Sequence, residues 1–141
     1  MWRLGFGSTA RAIFMRGGTM PKILIAEDDA DVRAFLQDEL TEAGFTVTGV
    51  DNGADAVVAA VEGAYDLYLL DMLMPGLDGI QTIRVLKKVT PDVPIIGLTG
   101  YVGLGYMAQA SAYGVICLAK PVVMADLIRE INEAIAARSA E

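Results

Sequence analysis

The stretch DLYLLDMLMPGLDG, residues 66–79, decides how the rest of the chain is read. Its apolar run Leu67-Tyr68-Leu69-Leu70 ends in a single carboxylate, Asp71, and a turn signal follows at Pro75-Gly76. A continuous apolar run of this length suits a strand buried on both faces. In open α/β sheets, ligands and chemistry collect at the C-terminal ends of such strands. Asp71 is therefore an ion site, a nucleophile or a solvent-facing strand end, and the flanking sequence has to separate these. Asp78-Gly79 opens the next amphipathic segment, with Asp78 read as its N-cap.

Working back from this stretch, KILIA at 22–26 is a short strand that runs straight into Glu27-Asp28-Asp29. Residues 30–43 carry Val32, Phe35, Leu36 and Leu40 at helical spacing, with Gly44 as the C-terminal stop and Asp29 as a cap. Residues 45–50 are strand-like, Asp51-Asn52-Gly53 is a turn with an N-cap, and the Ala-rich segment 54–61 is helical until Gly63.

Working forward, Ile80, Ile83, Val85 and Leu86 mark a helix that stops near Pro91. Residues 93–98 form a fourth strand leading into Thr99-Gly100. A weaker helix, 101–113, is interrupted by Gly103 and Gly105. A fifth strand at 115–118 precedes Lys120-Pro121, and a last helix at 122–137 has Leu127, Ile128, Ile131 and Ile135 on one face. Five strands alternating with five helices imply a doubly wound five-stranded parallel sheet of the α/β class, in the order 2-1-3-4-5.

Composition narrows the chemistry. With 54% hydrophobic residues in 141, the chain has enough apolar surface to build one core. No apolar run reaches membrane-span length, and the expected location is cytoplasmic. There is no histidine and one cysteine, Cys117, so a His-based triad, a His-ligated zinc site and an intrachain disulfide are excluded. Residues 1–20 hold three arginines and no acid, whereas residues 21–141 hold eight basic and eighteen acidic side chains. That balance argues against direct nucleic-acid binding. Residues 1–19 read as an extension, disordered or a mis-called start with translation beginning at Met20, which leaves 20–141 as the domain.

In the 2-1-3-4-5 order, Glu27, Asp28 and Asp71 converge in one crevice. Three close carboxylates repel one another and call for a cation, and hard oxygen ligands suit Mg2+. Asp28 and Asp71 would bind it directly and Glu27 through water, with the Leu73 backbone carbonyl as a further ligand. Thr99 and Lys120, at the ends of strands 4 and 5, bring a hydroxyl and an ammonium. Together these make an anion pocket around Asp71, matched to a transferred phosphoryl group, with Asp71 as nucleophile. Gly100 leaves the approach open. Met72, Met74 and Met107 read as packing.

The motifs ILIAEDD (23–29), LLDMLMPGLDG (69–79), LTG (98–100) and KP (120–121) resemble the receiver domain of bacterial two-component response regulators, the CheY-like, flavodoxin-like fold. The resemblance covers residues 21 to about 137. It implies a phosphoprotein with Asp71 as the phosphorylated aspartate, Glu27 and Asp28 as the acidic pocket, Thr99 as the switch hydroxyl and Lys120 as the phosphoryl contact. It implies a histidine kinase or a histidine phosphotransfer protein as phosphodonor. The expected chemistry is not enzymatic beyond autocatalytic phosphoryl acceptance and slow autodephosphorylation. With no output domain read after the last helix, the expectation is a stand-alone receiver, a monomer or weak homodimer, acting on an unidentified downstream protein. Such a receiver would serve as a phosphate sink or shuttle, a kinase or motor-type regulator, or an adaptor controlling proteolysis.

Two departures from the family pattern stand out. Cys117 occupies the position, three before the Lys, that family members usually give to Tyr or Phe, and the segment 114–120 is one residue short. Tyr101 or Tyr113 is the candidate substitute, and the soft segment around Gly103 and Gly105 is expected to respond to phosphorylation. A phosphohydrolase of the aspartyl-nucleophile type would want an acid at position 73, where Leu73 stands. A flavin module would want a Ser/Thr/Gly-rich phosphate loop where Glu27-Asp28-Asp29 stands.

Overall fold

The computed structural model describes residues 10–14, 18–100 and 105–139. Its elements in chain order are β1 (Lys22–Ala26), α1 (Ala30–Ala43), β2 (Thr46–Val50), α2 (Gly53–Glu62), β3 (Leu67–Asp71), α3 (Gly79–Val89), β4 (Ile95–Thr99), α4 (Tyr106–Ser111), β5 (Ile116–Ala119) and α5 (Met124–Ser139). The strands form one parallel sheet in the order β2-β1-β3-β4-β5. This is the doubly wound arrangement expected from the alternation of elements. Of the helix expected over 101–113, residues 106–111 form α4, and 101–104, with Tyr101 and Gly103, lie outside the described residues.

The helix boundaries have local causes. Asp29 caps α1 by accepting hydrogen bonds from the Asp31 and Val32 backbone N–H groups, and Gly44 ends it in the left-handed region at φ 112°. Asn52 caps α2 by accepting from Asp55 N–H. Asp78 and Gln81 form a reciprocal capping box at the start of α3. That box fixes the exit of the β3–α3 loop.

The apolar side chains divide by the period-two alternation of the strands. On one face Ile23, Ile25, Leu67, Leu69, Ile96 and Leu98 pack against α1 and α5 through Leu36, Leu40, Leu127, Ile128, Ile131 and Ile135. On the other, Leu24, Ala26, Tyr68, Leu70 and Ile95 meet Ala56, Ala60, Ile83, Leu86 and Ala110 of α2, α3 and α4. Each fully buried Leu or Ile contributes about 1.5–3 kcal/mol of transfer free energy. Phe35, read as part of the apolar stripe of α1, is 52% exposed. The buried stripe of α1 is Leu36, Leu40 and Ala43, and Phe35 falls one position to its side.

Residues 10–14 of the expected extension lie against the fold. Ala12 N–H donates to the Ala43 carbonyl at 2.9 Å, and Ile13 N–H donates to Asn132 Oδ1 at 3.1 Å. Ala10 and Ala12 pack against the core between α1 and α5. Residues 1–9 and 15–17 lie outside the described residues. Among the described residues no helix is long and apolar enough to cross a membrane.

Candidate functional site

Strand register builds the site. Ala26 pairs with Leu70, so Glu27 follows β1 at the level of Asp71. Asp71 pairs with Leu98 and Thr99 with Ala119, which sets Thr99 and Lys120 on successive steps beyond. The Lys120 N–H closes the row by donating to the Thr99 carbonyl at 2.9 Å. Glu27, Asp71 and Thr99 are buried, at 1%, 6% and 1% exposure, while Asp28 is exposed.

The side chains converge. Lys120 Nζ lies 2.9 Å from Glu27 Oε1 and 3.4 Å from Asp71 Oδ1. Carboxylate oxygens of Glu27, Asp28 and Asp71 come within 4.8 Å of one another. Leu73 N–H donates to Asp71 Oδ1 at 3.3 Å, and Asp29 N–H donates to Glu27 Oε2 at 3.2 Å. Of the residues predicted for the site, Glu27, Asp28, Asp71, Leu73 and Lys120 are thus brought to one place. Thr99 takes the adjacent strand end. Among the described residues, a Cβ at Gly100 would meet nothing within 4 Å.

The electrostatics of the crevice favour a cation. Burial raises the Asp71 carboxyl to about 7, and the Glu27 carboxylate adds to the rise by hydrogen bonding and by repulsion. The Lys120 ammonium and the Leu73 N–H pull it back only in part. For Lys120 the cost of burial is outweighed by Glu27 and Asp71, which raise its pKa and keep it charged. One ammonium facing three carboxylates leaves a net negative crevice, and an all-oxygen donor set of that charge fits a hard divalent cation.

Residues 23–132 match the response regulator receiver domain. The chain belongs to that family. The response regulator receiver protein CpdR of Brucella abortus (strain 2308) is 38% identical over 115 residues, covering 81% of this chain and 96% of that protein. The transcriptional regulatory protein PrrA of Mycobacterium bovis (strain ATCC BAA-935 / AF2122/97) is 35% identical over 121 residues, covering 82% of this chain but 50% of that protein. The chain therefore spans nearly the whole of the first relative and about half of the second. Among solved structures, the response regulator receiver domain protein from Clostridium thermocellum superposes with a TM-score of 0.82 at 30% identity, covering 86% of this chain and 98% of that one. As a receiver, this chain is a two-component signalling protein of a phosphoacceptor family with a kinase partner, and its acid cluster is consistent with the family's cation site.

One positioning residue escaped the sequence reading. Arg33, in the second turn of α1, donates from Nη1 to the Glu27 carbonyl at 2.7 Å and ties the acidic loop to the helix that follows it. A cation near a helix N-terminus opposes the macrodipole, and that misfit was the available signal. The family departure at Cys117 also has a structural setting. A Cβ on Gly97 would fall 2.8 Å from both Cys117 Sγ and Met72 Sδ, so the two sulfur side chains crowd the space over Gly97. Burial pushes the Cys117 thiol up, which keeps it neutral. Of the proposed aromatic substitutes, Tyr113 is 39% exposed, and Tyr101 lies outside the described residues.

Proposed function

We propose that this receiver accepts a phosphoryl group on Asp71 from a histidine kinase or a histidine phosphotransfer protein, in a Mg2+-dependent reaction, and signals through contact with another protein. The observation that carries the reading is the convergence of Asp71, Glu27, Asp28 and Lys120 at neighbouring strand ends. A lone nucleophilic carboxylate flanked by two acids and an ammonium is arranged for an anion that arrives together with a cation.

In the proposed reaction an Asp71 carboxylate oxygen attacks phosphorus. The new O–P bond forms as the N–P bond to the donor imidazole breaks, and the released nitrogen keeps the bonding pair. The Lys120 ammonium moves its charge from the acid pair toward the phosphoryl oxygens, and the Thr99 hydroxyl donates to one of them. Glu27, Asp28, Asp71 and the Leu73 carbonyl are the groups that would hold Mg2+, which supplies charge neutralisation for the phosphoryl oxygens. The half-exposed Leu73 side chain stands beside the acceptor where a phosphohydrolase would want an acid, so that position offers no proton for a leaving alcohol.

Incubation with acetyl phosphate and Mg2+, followed by intact mass, tests this reading. One phosphoryl adduct on the wild type and none on Asp71→Ala is the expected result. An adduct on both would remove Asp71 from its role.

A further inference from the structure

Asn132 sits in the middle of α5, where asparagine is a poor helix former. Its carboxamide is spent on another segment. Oδ1 accepts from Ile13 N–H at 3.1 Å, and Nδ2 donates to the Arg11 carbonyl at 2.7 Å. The two bonded groups flank Ala12, whose own N–H reaches the Ala43 carbonyl at the end of α1. Three backbone groups of residues 11–13 are thereby satisfied by two helices, much as a neighbouring strand would satisfy them.

This recognition reads backbone, and side-chain size filters it. Ala10 and Ala12, two residues apart, pack on the core, and a Cβ at Gly44 would lie 3.4 Å from that of Ala12. Ile13 and Phe14 remain exposed, at 36% and 70%. A cavity of about 500 Å3 stays open between Arg11 and Ile13 of the strap and Ala125, Ile128 and Ala136 of α5. The strap is held at a few points and does not fill the groove.

We propose that the groove between the C-terminal end of α1 and the outer face of α5 is a docking site for an extended peptide segment with small side chains at alternate positions, occupied in cis by residues 10–14. A partner that offers such a segment displaces the strap and takes its hydrogen bonds.

The test uses the full chain as wild type, Asn132→Ala and Ala12→Arg. Alanine is the better helix former, so Asn132→Ala keeps α5 and removes only the clamp. In wild type, the Ala12 and Ile13 amides should exchange about tenfold or more slowly than in an unstructured peptide. Both variants should lose that protection while Ile25 in β1 keeps its own. A synthetic peptide of residues 8–16 should then shift the Asn132 side-chain amide resonance saturably in Ala12→Arg, and not in wild type at the same concentration. Unprotected Ala12 and Ile13 in wild type would overturn the proposal, as would equal protection in wild type and Asn132→Ala. A peptide that shifts nothing in Ala12→Arg would do the same.

Discussion

Lys120 stands closer to Glu27 than to Asp71, with Nζ 2.9 Å from Glu27 Oε1 and 3.4 Å from Asp71 Oδ1. At rest the ammonium serves chiefly as the charge partner of an almost fully buried Glu27. Removing one partner of a buried pair strands the other. Lys120→Met should therefore lower stability at pH 8 by about 2–4 kcal/mol in urea unfolding, with part of the loss restored by millimolar Mg2+. Equal midpoints for wild type and variant would show that the pair does not support the fold.

The raised Asp71 carboxyl, at about 7, fixes a pH dependence. In the unfolded chain this group ionises near 4, so between about pH 4 and 7 the native state holds the extra proton. Its contribution to stability is full below pH 4 and is lost as pH rises through 7. Asp71→Asn removes that loss. Between pH 4 and 8 the variant should gain on the wild type by about 1–3 kcal/mol without Mg2+. A stability difference that stays flat with pH would contradict the assignment.

Cation binding must displace the same proton. Below pH 7 the Mg2+ affinity should fall by about tenfold per pH unit, levelling off above it. Isothermal titration in buffers of different ionisation enthalpy would count the proton released. Glu27→Gln should weaken Mg2+ binding by about tenfold or more and bring the Asp71 titration down, because it removes both the repulsion and one acid of the cluster.

Leu73 donates its N–H to Asp71 and leaves a half-exposed apolar side chain at the mouth of the site. An apolar group there hinders an attacking water. Leu73→Asn should hasten loss of the acyl phosphate roughly fivefold, about 1 kcal/mol off the barrier, as followed by intact mass over time. An unchanged lifetime would locate the shield elsewhere.

Gly79 opens α3 against Met72, and a Cβ there would fall 2.6 Å from the Met72 Cα. Since backbone has to move, Gly79→Ala should cost about 1–3 kcal/mol and disturb the 72–78 loop. A thermal midpoint equal to that of wild type would mean that the loop yields freely.

Most of the sheet was legible because each strand is a short apolar run closed by a charged or turn residue, and KILIA and LYLLD became β1 and β3 with little change. The acid pocket was legible for the same reason, as strand order alone brings residues 27, 28 and 71 together. Side-chain direction and backbone capture were not. Phe35 kept helical spacing yet missed the buried stripe by one position. The Arg33 bond ends on a carbonyl, which no residue pattern announces. The strap at 10–14 is held mainly through backbone atoms, so its alanines looked featureless. The sulfur packing of Met72 and Cys117 over Gly97 depends on a void in β4 that becomes visible only when three elements are assembled.

The Lys120–Glu27 contact joins residues 93 positions apart in the chain. Without that contact the acids lack their ammonium counter-ion and the crevice repels phosphate. On the proposed reading, the pocket for the phosphoryl group is complete only once residues 93 positions apart have met, so the modification would mark folded molecules.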